Sequence, residues 1–221
     1  MSKSIQVKSR RRVTDHGEVF TSEREVNSML DLVKQETERI DSRFLEPACG
    51  NGNFLAEILR RKLAVVVKRY EKSQLEFERN AVVAVGSVYG VELLLDNAKE
   101  CRERLFSIFN EVYQGEFVSN CNERCRDAIR YILNKNILCG DALTLKTVEG
   151  TPIVFSEWTL VAGSNFKRRD YTFNELMEAS RGGQTSIFQA AMKFDEQAGR
   201  FIPNPVREYP LTHYERLAEY E

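Results

Sequence analysis

Adjacent prolines are missing from this chain. Its five prolines (Pro47, Pro152, Pro203, Pro205 and Pro210) all stand apart, which excludes any loop built on a Pro-Pro step. Histidine is scarce too: His16 and His213 are the only two, too few to complete a metal site with the cysteines, so none is expected. Five cysteines form an odd set without the spacing of a small secreted domain, which favours reduced thiols. No apolar run approaches the roughly 20 residues of a membrane-crossing helix. The start, Met1-Ser2-Lys3-Ser4, lacks the apolar core of a secretory leader. The expectation is a cytoplasmic protein.

An excess of one charge is also absent. The formal net charge of -1 argues against a surface that binds nucleic acid everywhere. Three basic clusters remain: Lys8 with Arg10, Arg11 and Arg12; Arg60, Arg61 and Lys62; and Lys167, Arg168 and Arg169. Each reads either as solvated surface or as a contact for a phosphate backbone.

What is present suits one domain with a full core, alone or with appendages: 221 residues, 42% hydrophobic and 29% charged. The chain is organised around Phe44-Leu45-Glu46-Pro47-Ala48-Cys49-Gly50-Asn51-Gly52-Asn53-Phe54-Leu55. Phe44 and Leu45 read as the end of a buried strand. Gly50 and Gly52 make a tight turn. Phe54, Leu55, Ile58, Leu59 and Leu63 then recur at helical spacing. Strand, glycine turn and helix bring backbone amides close to a ligand, because glycine has no Cβ in the way and the helix N-terminus faces the bound group. Periodicity alone reaches a Rossmann-like nucleotide binder with a mostly parallel sheet flanked by helices.

The wording of that stretch resembles motif I of the S-adenosylmethionine-dependent DNA methyltransferases that methylate the exocyclic amine of adenine, as found in restriction-modification systems. The resemblance implies a class I methyltransferase fold and S-adenosyl-L-methionine as cofactor. Glu46, beside Pro47, would face the methionine amino group, and Phe54 and Leu55 would lock the helix onto the sheet. Upstream, Gly17-Glu18-Val19-Phe20-Thr21 is similar to motif X, where Phe20 and Thr21 would close over the methionine end. Phe20 also reads as a hydrophobic staple on the helix that follows. That helix starts at a Ser22–Glu25 capping box, with Val26, Met29, Leu30 and Val33 as its apolar stripe.

Leu63 to Asn80 reads either as more helix or as a loop insertion. The valine-rich Ala81 to Val91 reads as a second buried strand, ending Tyr89-Gly90-Val91-Glu92. A carboxylate there offers two acceptor oxygens to a ribose, and the wording is similar to motif II. One helix follows with Ala98, Cys101, Leu105, Ile108, Phe109 and Val112 on a face. Another carries Cys121, Cys125, Ala128, Ile129, Ile132 and Leu133, with both cysteines as small core residues. The strand ending Gly140-Asp141-Ala142-Leu143 resembles motif III, where Asp141 would accept from the adenine amine beside Ala142.

The family then needs an Asn/Asp-Pro-Pro-aromatic loop, and this chain has none. In its place Leu160 to Ala162 is expected as a fourth strand, with Gly163-Ser164-Asn165-Phe166 at its tip; Asn165 and Phe166 are the catalytic candidates. Short helices are expected at Phe173–Ala179 and Ile187–Phe194, then an extended tail from Phe201 to Pro210. The resulting division is a flexible basic terminus (1–12), a cofactor-binding domain (13–166) and a C-terminal extension (167–221). The resemblance implies DNA as substrate, reached through a partner subunit that supplies recognition in a hetero- or homo-oligomer. Two alternatives stay open: a regulatory subunit that keeps the fold without turnover, and a methyltransferase acting on RNA or protein.

Overall fold

The computed structural model describes residues 7–118, 120–176, 192–195 and 200–219. It is an α/β protein with a mixed sheet and helices. Ser9 caps a first helix, α1 (Arg10–His16), which begins inside the 1–12 stretch expected to be flexible and continues past it, and Gly17 ends it at φ 65°. Ser22 and Glu25 form the anticipated capping box on α2 (Glu23–Asp31). Only Val26 and Leu30 of its stripe are buried, whereas Met29 and Val33 stay exposed. A short α3 (Lys34–Thr37) leads to β1 (Phe44–Glu46), and the glycine turn leads into α4 (Asn53–Tyr70).

The stretch after α4 corrects the sequence reading. Ser73 caps a second helix, α5 (Gln74–Gly86), so Ala81 to Gly86 is helix, and only Val88–Glu92 is strand β2. Ala81, Val82, Ala84 and Val85 are all fully buried. The last turns of α5 are enclosed on nearly every side, with only Val83 of residues 81–86 partly exposed, so this apolar run shows no polar face to distinguish it from a strand. The long α6 (Leu95–Glu116) buries Ala98, Cys101, Leu105, Ile108 and Phe109 as expected. Cys121 lies before Asn122, the N-cap of α7 (Glu123–Asn136), and is therefore not one turn from Cys125 within the helix. β3 (Ile137–Asp141) and the short β4 (Lys146–Thr147) complete the first sheet.

That sheet runs β1-β2-β3-β4, with β1, β2 and β3 parallel and β4 antiparallel. β1 is one of its two outer strands. Val88 of β2 faces the large helical core, whereas Tyr89 and Val91 face Ile153, Phe155 and Phe173 on the other side.

Leu160 to Ala162 is not a further parallel strand. It ends β5 (Val154–Ala162), which forms an antiparallel hairpin with β6 (Asn165–Thr172). Gly163, at φ 57°, supplies the left-handed residue that such a tight hairpin turn requires. The 166/167 boundary thus falls inside β6. Residues 173–176 are helical, and 177–179 lie outside the described residues. Met192–Asp195 is strand β7, paired with β8 (Arg200–Pro203), so the end of the expected Ile187–Phe194 helix is strand; 187–191 lie outside the described residues. β9 (Arg207–Glu208) and β10 (Thr212–His213) add to β6 before a closing 3₁₀ helix, Tyr214–Glu219. Tyr214 is buried in the main core, where its hydroxyl donates to the buried carboxylate of Glu78. No helix of the described residues is long and apolar enough to cross a membrane.

Candidate functional site

A cavity of about 500 Å³ opens at the C-terminal ends of β1, β2 and β3, within the roughly 300–1,000 Å³ of small-molecule sites. Four separate stretches line it: Gly17 to Thr21, Pro47 to Gly50 with Asn53, Glu92 to Leu94 with Asn97, and Gly140 to Leu143. Parallel strands make this convergence possible, because their C-terminal ends and following loops all lie on one side.

Among the sequence-predicted residues, Phe20, Thr21, Pro47, Gly50, Glu92, Asp141 and Ala142 line the cavity. Glu46, Gly52 and Phe54 do not. Glu46 ends β1, half-buried, and burial pushes its carboxyl above the usual carboxylate range. Gly52 is the N-cap of α4 at φ 86°, and a Cβ there would stand 2.6 Å from Cys101 Sγ. Phe54 packs against the helical core. Asn165 and Phe166 are absent from the cavity. Asn165 is exposed at the hairpin turn, and Phe166 is fully buried in the main core. The buried position follows from the hairpin, which turns Phe166 inward next to Trp158 and Leu160.

Glu92 is buried at the tip of β2. Its Oε2 accepts from the Gly50 amide at 2.8 Å, and its Oε1 accepts from the Leu94 amide at 3.0 Å and from Asn97 Nδ2 at 3.4 Å. The acid at the end of β2 therefore also fixes the glycine turn after β1. Asp141 accepts from the Leu143 amide at 2.8 Å and from the Thr144 hydroxyl at 3.1 Å. Those bonds, the Leu143 amide foremost, hold its pKa below the usual value. Phe20 lies over the turn, with its ring 3.0 Å from where a Gly50 Cβ would stand. Leu93 and Leu143 line the wall with 52% and 95% exposure, apolar surface available to a planar ligand.

Charge in the lining has one sign. Glu18, Glu92 and Asp141 contribute to it, and among the described residues no Lys or Arg does. Glu18 is the acid that sequence reasoning passed over as a ligand-facing group. Its pKa is lowered first by the hydrogen bond from Arg12, whose Nη2 donates to Oε1 at 2.8 Å. Asn97 was missed as well; an asparagine inside a helix carries no sequence signal of a role.

The basic clusters are consumed largely inside the molecule. Lys8 donates to Asn97 Oδ1 at 2.7 Å and Arg12 to Asp96 Oδ2 at 2.6 Å. Arg61 pairs with Asp31 at 2.8 Å and with Glu57 at 3.0 Å. Lys62, fully buried, donates to the Ile40 and Ser42 carbonyls and to the Ser87 hydroxyl. Lys167 pairs with Glu208 at 3.4 Å, Arg168 with Asp170 at 2.8 Å and Arg169 with Glu157 at 3.8 Å. The third cluster is thus neither solvated surface nor an open phosphate contact.

No family model matches the chain, and no curated protein or solved structure matches it.

Proposed function

We propose that this chain is the S-adenosylmethionine-binding part of a methyltransferase resembling the adenine-amine DNA methylases of restriction-modification systems, on a Rossmann-like class I fold. The observation that carries the reading is the single cavity shared by Phe20, Gly50, Glu92 and Asp141, lined by acids and by no base among the described residues. A dinucleotide or nucleoside triphosphate would bring several negative charges to such a lining. A sulfonium nucleoside brings a positive one.

The residues present fit that cofactor. Glu92 has lone pairs left for ribose hydroxyls beyond the amides it already holds. Asp141 offers an acceptor for an adenine amine, and the exposed Leu93 and Leu143 offer apolar contact to the ring. Phe20 and Thr21 cover the methionine end next to the Gly50 turn. When bound, the sulfonium supplies the methyl group for in-line displacement by an amine. The chain's contribution is positioning and exclusion of water.

A partner chain is part of the proposal. Neither Asn165 nor Phe166 reaches the cavity, and the sequence holds no Pro-Pro loop to orient the target amine. β1, whose end leads into the cavity, pairs only with β2 among the described residues, which leaves an edge where a partner can add a strand. The same observations favour, as a second reading, a regulatory subunit that binds the cofactor without turnover.

Calorimetric titration with S-adenosylmethionine, followed by transfer of a tritiated methyl group to DNA, separates the two. The assay is run with the chain alone and with products of neighbouring genes. Transfer only in the presence of a second chain supports the split enzyme. Binding without transfer in every mixture supports the regulatory subunit, and absence of binding removes both.

A further inference from the structure

Asn97 is 1% exposed and lies between the N-terminal segment and Glu92. Its two ends meet opposite charges. Oδ1 accepts from the Lys8 ammonium at 2.7 Å, while Nδ2 donates to Glu18 Oε1 at 2.6 Å and to Glu92 Oε1 at 3.4 Å. Turning the amide over would place its oxygen against two carboxylates and its NH₂ against an ammonium, so the charges fix its orientation.

The segment on the far side of Asn97 is built to be seated there. α1 ends at the left-handed Gly17, which sends Glu18, Val19 and Phe20 along the cavity wall. Arg12 reaches both Glu18 and Asp96, tying α1 to the first turn of α6. The hydrogen bonds of Glu92 go to Gly50, Leu94 and Asn97 among the described residues, and none to residues 7–20. Asn97 is therefore the polar link between the two.

We infer that Asn97 is a positioning residue that makes the seating of residues 8–20 and the placement of the Glu92 carboxylate one event. Seating the segment closes the cavity over the methionine end and orders the carboxylate at the ribose end. By reciprocity, a ligand on Glu92 holds the segment down as strongly as the segment holds the ligand. The ligand's part in this coupling rests on the cofactor proposed above; the link between Glu92 and the segment does not.

Amide hydrogen exchange of residues 10–17 tests it without ligand. Gly17 N–H to Val13 at 2.9 Å and Val13 N–H to Ser9 at 3.2 Å are the reporting bonds, with the buried α5 amides as a control for global stability. Glu92→Ala and Asn97→Ala should each raise exchange in 10–17 by about tenfold while α5 is unchanged. Exchange at the wild-type rate in Glu92→Ala overturns the inference. The second arm adds S-adenosylmethionine. Protection of 10–17 should rise, and Arg12→Ala, a change at a partly buried residue outside the cavity lining, should weaken binding severalfold. Ligand binding that leaves 10–17 unprotected also overturns the coupling. If the wild type does not bind, the cofactor reading fails, and the ligand-free comparison still decides the link.

Discussion

At the C-terminal ends of the parallel strands, Glu92 and Asp141 hold their charge chiefly with backbone amides: Gly50 and Leu94 for the first, Leu143 for the second. In the β5–β6 hairpin, Asp170 and Glu157 hold theirs with guanidinium groups, from Arg168 at 2.8 Å and from Arg43 and Arg169. Asp170 also accepts from Ser156 at 2.7 Å and Tyr209 at 2.9 Å, so both its oxygens are closed off. An amide-held carboxylate on a cavity wall keeps lone pairs open to a guest. A carboxylate matched by buried cations keeps none and serves as a staple. The cavity wall leaves acceptor oxygens open, and the hairpin closes its own.

The sharpest way to break that contrast is Phe166→Ala. If Phe166 is core rather than catalytic surface, its truncation costs about 3–5 kcal/mol in denaturant unfolding. Protein that remains folded should then bind S-adenosylmethionine as before. A large loss of affinity with little loss of stability would return Phe166 to the site.

Gly52→Ala should be next in size. The left-handed φ of 86° and the 2.6 Å approach to Cys101 Sγ make any Cβ costly, roughly 1–3 kcal/mol for the backbone strain. Unlike the hairpin change, this one should also weaken ligand binding, because it moves the turn that Glu92 holds. Equal affinity in Gly52→Ala and wild type would detach the turn from the site.

A smaller effect comes from Lys62, at the N-terminal ends of β1 and β2 and outside the cavity lining. Burial lowers its pKa from 10.5 to about 7. Between those values the unfolded chain binds a proton that the folded chain does not, so stability rises with pH across that window. Below about pH 7 both states are protonated and the penalty is fully present. Denaturation midpoints from pH 7 to 10 should climb more steeply in wild type than in Lys62→Met. Parallel slopes would mean that Lys62 keeps its ordinary pKa.

The same contrast explains what was legible in the sequence. The cavity was readable because its parts are short and local: a glycine turn, a strand-end acid, a strand-end Gly-Asp. Each segment carries its own pattern, and parallel pairing gathers them. Asn97 and Glu18 were not readable in that way, because their partners lie 5 to 89 positions away. The hairpin was misread because a Gly-Ser step at a strand end serves equally as the tip of a parallel strand or as a reversal. Only the pairing of Phe166 with Leu160 decides between them. Ala81 to Gly86 reads as strand because burial of all but Val83 erases the helical period. The Lys167-Arg168-Arg169 run gave no sign that its carboxylate partners Glu157, Asp170 and Glu208 would fold onto it.

Calorimetry of S-adenosylmethionine binding to wild type, Glu92→Ala and Asp141→Ala tests the central claim most directly. We expect saturable one-to-one binding to wild type, weakened by about 1–3 kcal/mol in each variant as a donor on the ligand loses its carboxylate. Indistinguishable affinities in all three, or no heat with wild type, would contradict the assignment of this cavity.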